Sequence, residues 1–276
     1  MTTLVLQLSD LHLFAEPEGV LRQIPTRDSL VEVLAAVRGT GFEFDRVVVT
    51  GDFTHDERRE TYQAAHGLLE EWLDRCHVLP GNHDDRVLMR EVFAGDAQQA
   101  AQAGGSDSGI CFSVAQGGWR LIGIDTHLPG QVAGRVEPAM LEWLAEELEQ
   151  HASEPTILFQ HHPPISVGSA WLDAIGLLDG EPYRELISSS PQVRAISCGH
   201  VHQEASGTLG TAVVLTVPST SVQFTPISAI ARVDSIPPGF RIFTLDDPAD
   251  SVEVEAIGWS SRVVRLPAVS FPAVDE

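Results

Sequence analysis

The sequence predicts an α/β fold in which two sheets lie sandwiched between helices. Three observations point there. Short apolar, β-branched runs alternate with longer amphipathic stretches from Leu4 to Ser197. Beyond Gly207 the pattern turns to strands alone. Five short segments rich in Asp and His each follow a predicted strand, the place where α/β sheets present ligand-binding groups.

Leu4–Leu8 is the first strand, and Arg27–Arg38 a helix with Leu30, Val31, Leu34 and Val37 on one face. Arg46–Thr50 (RVVVT) reads as a buried strand and leads to a helical run near Glu57–Arg75. Cys76–Leu79 is a short strand, Asp84–Phe93 a helix and Ala97–Gly109 a small-residue loop. Ile110–Val114 and Arg120–Ile124 are strands about the Gly117-Gly118 turn. Glu137–His151 is a helix with Pro138 in its first turn, where the missing N–H is not needed. Thr156–Phe159 and Arg194–Ser197 are strands separated by one helix and a loop. Ala212–Val217, Phe240–Leu245 and Val252–Ile257 complete the strands. One domain is expected over residues 1–265, followed by a tail at 266–276 carrying Pro267 and Pro272.

The 276 residues include 17 basic and 39 acidic side chains, a net charge of −22. Every basic residue is arginine. Without lysine, Schiff-base chemistry, pyridoxal phosphate anchoring and a P-loop lysine are excluded. The negative charge argues against high-affinity binding to long DNA or RNA. Cys76, Cys111 and Cys198 are odd in number and lack metal-type spacing, which suits a reducing compartment and no disulfide scaffold. The first ten residues reach Asp10 too soon for a signal peptide, and no apolar run approaches 18 residues. A soluble, cytoplasmic protein with no membrane partner is expected.

The five segments are Ser9-Asp10-Leu11-His12, Gly51-Asp52, Gly81-Asn82-His83-Asp84, His161-His162-Pro163 and Gly199-His200-Val201-His202. Asp-x-His alone carries little information, since about 0.7 occurrences arise by chance in such a composition. Gly-His-x-His is expected only about 0.04 times. Gly-Asn-His is rarer still, because Asn82 is the sole asparagine. All five in order behind strands form a specific signal. Asp, His and Asn offer the oxygen and imidazole donors that suit Mn, Fe or Zn. Asp52, the sole carboxylate of its segment, is the candidate bridge between two ions. Asp10, His12 and His202 then complete one ion, and Asn82, His161 and His200 the other. Backbones crowded around two ions leave little room for Cβ atoms, which accounts for Gly51, Gly81 and Gly199.

Plainer roles stand beside these. His55, His66, His77, His127 and His151 read as surface or structural histidines. The acidic face of the Glu137 helix reads as solvated. Asp84 and Asp85 are open to metal binding, but one of them suits the N-cap of the next helix. Asp125, at a strand end, is a weaker site candidate. His162 stays open as a ligand, a support for a ligand, or a substrate contact. His55-Asp56 and His83-Asp84 spell the dipeptide of helical HD phosphohydrolases, but here both follow strands.

The ordered motifs D-x-H, G-D, G-N-H-D, H-H-P and G-H-x-H resemble the calcineurin-like metallophosphoesterases from Leu4 to Val217. His12–Ala15, Ser169–Asp173, Cys198–Glu204, Pro218–Phe224 and Ile236–Arg241 look like segments of the bacterial class III 3′,5′-cyclic-AMP phosphodiesterases. The resemblance implies a four-layer α/β/β/α sandwich of two mixed sheets and a dinuclear centre of Fe²⁺ and/or Mn²⁺, with Zn²⁺ as a further option. It also implies that His161, two residues before the proline, is the ligand and that His83 faces the substrate phosphate. Gln160 departs from relatives that carry a third consecutive histidine there.

The reaction so implied is hydrolysis of 3′,5′-cyclic AMP to 5′-AMP by in-line attack of a hydroxide held between two cations roughly 3.5–4 Å apart. Two divalent ions against Asp10 and Asp52 leave the centre at about +2, so it attracts phosphate despite the acidic chain. His83 is the candidate acid for the departing 3′ oxygen. His12, Asp52, Asn82, His83 and His202 are the candidate substrate contacts. Specificity is expected in segments 163–183 and 218–240, with Trp171 or Phe224 available to stack on a base. The alternatives are a broader phosphodiesterase for 2′,3′-cyclic nucleotides or glycerophosphodiesters, and a non-catalytic binding module on the same fold. The partner expected is a small cyclic nucleotide or phosphodiester, and a homodimer stays open.

Overall fold

Alternation along each strand decides which layer its side chains join. The computed structural model describes residues 2–94, 109–247 and 258–268. In the strand Thr2–Leu8, Leu6 and Leu8 face one way and Val5 the other. In Arg46–Thr50, Val47 and Val49 likewise oppose Val48. Both faces of these strands are therefore buried, and Leu4–Leu6 and Val47–Val49 are unbroken apolar runs, as in a sheet covered on both sides.

The first sheet has the order Trp259–Arg265, Gly239–Asp246, Thr2–Leu8, Arg46–Thr50, Cys76–Leu79. The last three run parallel, and the two C-terminal strands are antiparallel. The second sheet has the order Ser206–Leu209, Ala212–Thr216, Val193–Cys198, Thr156–Gln160, Trp119–Gly123, Phe112–Gln116. Its four central strands are parallel and its two edge strands antiparallel.

Three buried clusters mark the boundaries between four layers. The helices Thr26–Gly39, Arg59–Leu68 and Arg86–Val92 cover the outer face of the first sheet through Leu30, Tyr62 and Met89. The helices Pro138–Gln150 and Glu181–Ser188 cover the second through Leu144 and Ile187. Val5, Val48, Phe159, Ala195 and Phe243 meet between the sheets. The fold is the α/β/β/α sandwich.

Most elements lie where the apolar pattern places them, and Cys76–Leu79 and Arg46–Thr50 coincide residue for residue. The buried face of the first helix is Leu30, Val33, Leu34 and Val37, while Val31 is exposed. That set follows the i, i+3, i+4, i+7 spacing from Leu30, which Val31 breaks. The run near Glu57–Arg75 divides into an α-helix to Leu68 and a 3₁₀ turn over Glu70–Arg75. Ser206–Leu209 is an additional strand, too polar to show the period of two. The expected strand Val252–Ile257 lies outside the described residues, as do the greater part of the Ala97–Gly109 loop and the tail from residue 269. No described helix is long and apolar enough to cross a membrane.

Candidate metal centre

The five motif segments leave the C-terminal ends of Thr2–Leu8, Arg46–Thr50, Cys76–Leu79, Thr156–Gln160 and Val193–Cys198. Parallel pairing within each sheet puts these ends on one edge of the sandwich. Past the strands the backbones continue to pair. The Asp10 N–H donates to the Gly51 carbonyl (2.9 Å) and the His12 N–H to the Asp52 carbonyl (2.8 Å). The sheets are joined there by the His200 N–H, which donates to the Asp10 carboxylate at 3.1 Å.

This convergence bends the chain sharply. Asp10, His12, Asp52, His200 and His202 all have φ between +47° and +69°. Non-glycine residues avoid this left-handed region, and its use clusters at functional sites. Gly51 is at φ +98°, and a Cβ there would lie 2.6 Å from His161 Nδ1. At Gly199 a Cβ would strike the Ser9 hydroxyl and lie 2.9 Å from Asp10 Oδ2. The glycines are needed, as their motifs imply.

Donor atoms of Asp10, His12, Asp52 and His202 lie within 4.8 Å of one another. His202 Nε2 is 3.3 Å from Asp10 Oδ1, and His12 Nε2 is 3.4 Å from Asp52 Oδ2. On the far side, the same Asp52 oxygen is 3.5 Å from His161 Nε2. Asn82 Oδ1 completes a second group, 3.3 Å from His161 Nε2 and 3.0 Å from His200 Nδ1. Asp52 therefore stands between two donor clusters, and all seven expected positions are assembled.

The opposite ring nitrogens explain how the donors are aimed. His161 Nδ1 faces the Thr50 carbonyl at 2.7 Å, His202 Nδ1 the Val222 carbonyl at 2.8 Å and His200 Nε2 the Ile175 carbonyl at 3.0 Å. A carbonyl only accepts, so each of these nitrogens carries a proton, and that bond aims the ring's other nitrogen at the site. Ser219 adds a hydroxyl bond to the Asp10 carbonyl (2.7 Å). Segment Pro218–Phe224 thus braces the donors as well as lining the cavity.

Electrostatics agree. Burial pushes His12 well below the usual histidine range and His200 down to about 3, so both rings are neutral. Burial raises the Asp52 carboxyl, but the neighbouring His161 and His12 outweigh it and hold it well below its ordinary value. Burial would lower His161, yet the Asp52 charge prevails and pushes it up to about 9. His12 Nε2 and His202 Nε2 face each other at 3.0 Å beside two carboxylates. Ionised carboxylates, converging imidazole nitrogens and an amide oxygen, with no sulfur among them, form a donor set for divalent cations.

His162 differs from its neighbour. Its Nδ1 takes the Thr126 hydroxyl at 2.8 Å and its Nε2 donates to the Val132 carbonyl at 3.0 Å, so both nitrogens are engaged, although one of them lies within 4.8 Å of donor atoms of His161 and His200. Gln160 holds the His162 carbonyl at 2.5 Å and accepts the Tyr183 hydroxyl at 2.5 Å. Asp85 caps the Arg86 helix, accepting from the Val87 and Leu88 N–H groups. Asp84 is a loop brace that accepts from the Phe53 and Gly81 N–H groups and the Tyr62 hydroxyl. Asp125 belongs to none of the donor clusters among the described residues and pairs with Arg86 at 2.7 Å.

A cavity of about 190 Å³ opens above Asp52 and Asn82. His83 lines it, anchored by its backbone N–H on Asp52 Oδ1 at 2.9 Å. Phe224 stacks on His202 with centroids 4.6 Å apart, and Trp171 meets Phe224 edge-on at 5.0 Å. His55 also lines the cavity, stacked on His83 and 3.4 Å from His12 between Nδ1 atoms. Its place three residues after Asp52 was the available sequence signal. A neighbouring cavity of about 520 Å³ shares Asn82, His83 and Val132 and adds Glu57, Arg86 and His127.

Residues 3–204 match the family profile described as Calcineurin-like phosphoesterase. The chain is 33% identical over 241 residues to a Vibrio vulnificus (strain CMCP6) protein described as 3′,5′-cyclic adenosine monophosphate phosphodiesterase CpdA, with 87% of this chain and 85% of that one covered. It is 28% identical over 217 residues to the Glycerophosphodiester phosphodiesterase GpdQ of Enterobacter lignolyticus (strain SCF1), covering 79% and 77%. Among solved structures, a dimetal phosphatase from Danio rerio shares the fold at a TM-score of 0.64 and 18% identity, over 88% of this chain and 94% of that chain.

Proposed function

The chain belongs to the calcineurin-like phosphoesterase family, and we propose that it is a dinuclear-metal phosphodiesterase hydrolysing 3′,5′-cyclic AMP to 5′-AMP. The observation that carries this is the Asp52 carboxylate set between two donor groups, below a cavity with an aromatic wall. Asp10, His12, Asp52 and His202 would hold one ion, and Asn82, His161, His200 and the shared Asp52 the other. Fe²⁺, Mn²⁺ or Zn²⁺ suits this nitrogen-rich set better than Mg²⁺. Bound cations supply Lewis acidity, lowering the pKa of water and neutralising charge on the phosphoryl oxygens.

The rest is the work of the chain's own side chains. His12, Asp52, Asn82, His83 and His202 line the cavity and would surround a bound phosphoryl group. Hydrolysis adds a water oxygen to phosphorus and breaks the bond to O3′, which leaves with a proton. His83, whose backbone is fixed on Asp52, is our candidate to give that proton and to recover one from the attacking water. Trp171 and Phe224 offer flat faces to the adenine. His161 serves as ligand and His162 as the clamp that holds the Val132 loop. The buried Cys76, Cys111 and Cys198 suit a reducing cytoplasm.

A broader specificity has one observation in its favour. The neighbouring cavity meets the first at His83, so an acyclic diester has room for a second arm. The test is a metal-reconstituted panel of 3′,5′-cyclic AMP, 3′,5′-cyclic GMP, 2′,3′-cyclic AMP and glycerophosphodiesters. Highest kcat/KM on 3′,5′-cyclic AMP is the expected result. A preference for an acyclic diester transfers the assignment to the second reading.

A further inference from the structure

Arg22 and Gln23 are the two turn residues of a hairpin joining Val20–Leu21 to Ile24–Pro25. Their φ angles are +50° and +69°. Two-residue turns with positive φ at both positions favour Asn-Gly, so a long charged side chain is a poor choice for the turn itself. Such outliers persist where function retains them.

What sets the exposed Arg22 apart is its place. In a chain with 39 acidic residues, Arg38, Arg58 and Arg120 each pair with a carboxylate. Arg22 has no ion pair or hydrogen bond of its side chain among the described residues, and it is the arginine that lines the 190 Å³ cavity. The same wall carries His12, His83 and Phe224. An arginine side chain is long enough to cross a space of this size.

We propose that Arg22 is a substrate-binding residue that grips the phosphoryl oxygens of the diester. This rests on the phosphodiesterase reading but goes beyond it by adding a cation that the chain itself supplies. The planar guanidinium fork matches two phosphoryl oxygens, whereas an imidazole presents one donor. The contact forms with substrate and transition state alike, so it acts on KM rather than kcat.

Arg22→Asn separates the turn from the charge, because Asn tolerates positive φ better than Arg. The variant should keep or raise its Tm. Its KM for both 3′,5′-cyclic AMP and bis(p-nitrophenyl) phosphate should rise about tenfold, the scale of one charge-assisted hydrogen bond, with kcat within about twofold. Arg22→Lys should recover part of the loss, and added salt should narrow the gap between wild type and Arg22→Asn. Unchanged KM on both esters would overturn the proposal. A rise confined to cyclic AMP would also overturn it, moving the guanidinium to the base. If wild type cleaves the aryl diester but not cyclic AMP, the nucleotide reading fails while the Arg22 comparison on the aryl ester still decides. Calorimetry with inorganic phosphate on metal-loaded protein gives a readout free of turnover. Affinity about tenfold weaker in Arg22→Asn supports the assignment, and equal affinity contradicts it.

Discussion

At the floor of the cavity the imidazoles are held from two directions, whereas on its wall the large side chains are held from one side or none. His161, His200 and His202 each face the site with one nitrogen and a backbone carbonyl with the other. On the wall, Trp171 Nε1 has no hydrogen-bond partner among the described residues, and the Phe224 ring is held by ring contacts, its backbone N–H donating to the His202 carbonyl. Stacking leaves a ring free to slide, while paired hydrogen bonds fix a nitrogen to a point. The floor is built for a fixed reaction and the wall for an adjustable fit. A family can keep such a floor and change its esters through the wall.

Breaking the floor should have the largest effect. Asp52→Ala removes the carboxylate common to both donor groups, so turnover should fall at least about 10³-fold, beyond the loss of one electrostatic contact. Elemental analysis should find fewer than two ions per chain. Full metal content with full activity would mean that Asp52 is not shared.

His83 stands where floor and wall meet. His83→Ala should lower kcat on cyclic AMP by about 10²–10⁴-fold with both metals retained. The loss should shrink on a p-nitrophenyl ester, whose oxygen departs without a proton. Equal losses on the two esters would remove the acid role and leave charge stabilisation.

The adjacent histidines offer a sharper test of the floor. The Asp52 carboxylate holds His161 up at about 9, so below that pH a proton competes with a cation for the ring. Metal affinity should strengthen about tenfold per pH unit between pH 7 and 9 and level off above. The sign for stability is opposite. In metal-free protein this raised pKa contributes stability that is fully present below about 6.5 and lost as pH rises through 9. His161→Ala should lose an ion, whereas His162→Ala should keep both and cost about 1–3 kcal/mol through stranded hydrogen bonds. The reverse metal contents would exchange the two assignments.

Changes to the wall should be smallest. Trp171→Ala or Phe224→Ala should raise KM for cyclic AMP about tenfold, as loss of one base stack does, and leave an aryl diester with a small fraction of that effect. Matching effects on both esters would make these rings packing groups rather than a base platform.

The floor was legible in the sequence because each of its pieces is local. Asp10 and His12, or His200 and His202, are two residues apart behind one strand, and the parallel order of strands does the rest. The wall was legible only in part: segments 163–183 and 218–240, with Trp171 and Phe224, stood out as places for specificity, but the 20–25 hairpin did not, because these pieces meet only in the folded chain. His55 passed as a structural histidine for the same reason, its place beside His12 and His83 being a matter of packing. His161 and His162 fit the pattern equally well as letters. Their ring partners separate them, Thr50 and the donors for one, Thr126 and Val132 for the other. Two-residue strands such as Gln223–Phe224 carry no period to read.

The most direct test of the central claim is a metal titration of stripped protein with Mn²⁺ or Fe²⁺, following bound ion and hydrolysis of 3′,5′-cyclic AMP in the same samples. A centre built around a shared Asp52 predicts no turnover in stripped protein and a rate that saturates only as the second ion per chain is bound. Turnover without metal, or a full rate at one ion per chain, would contradict it.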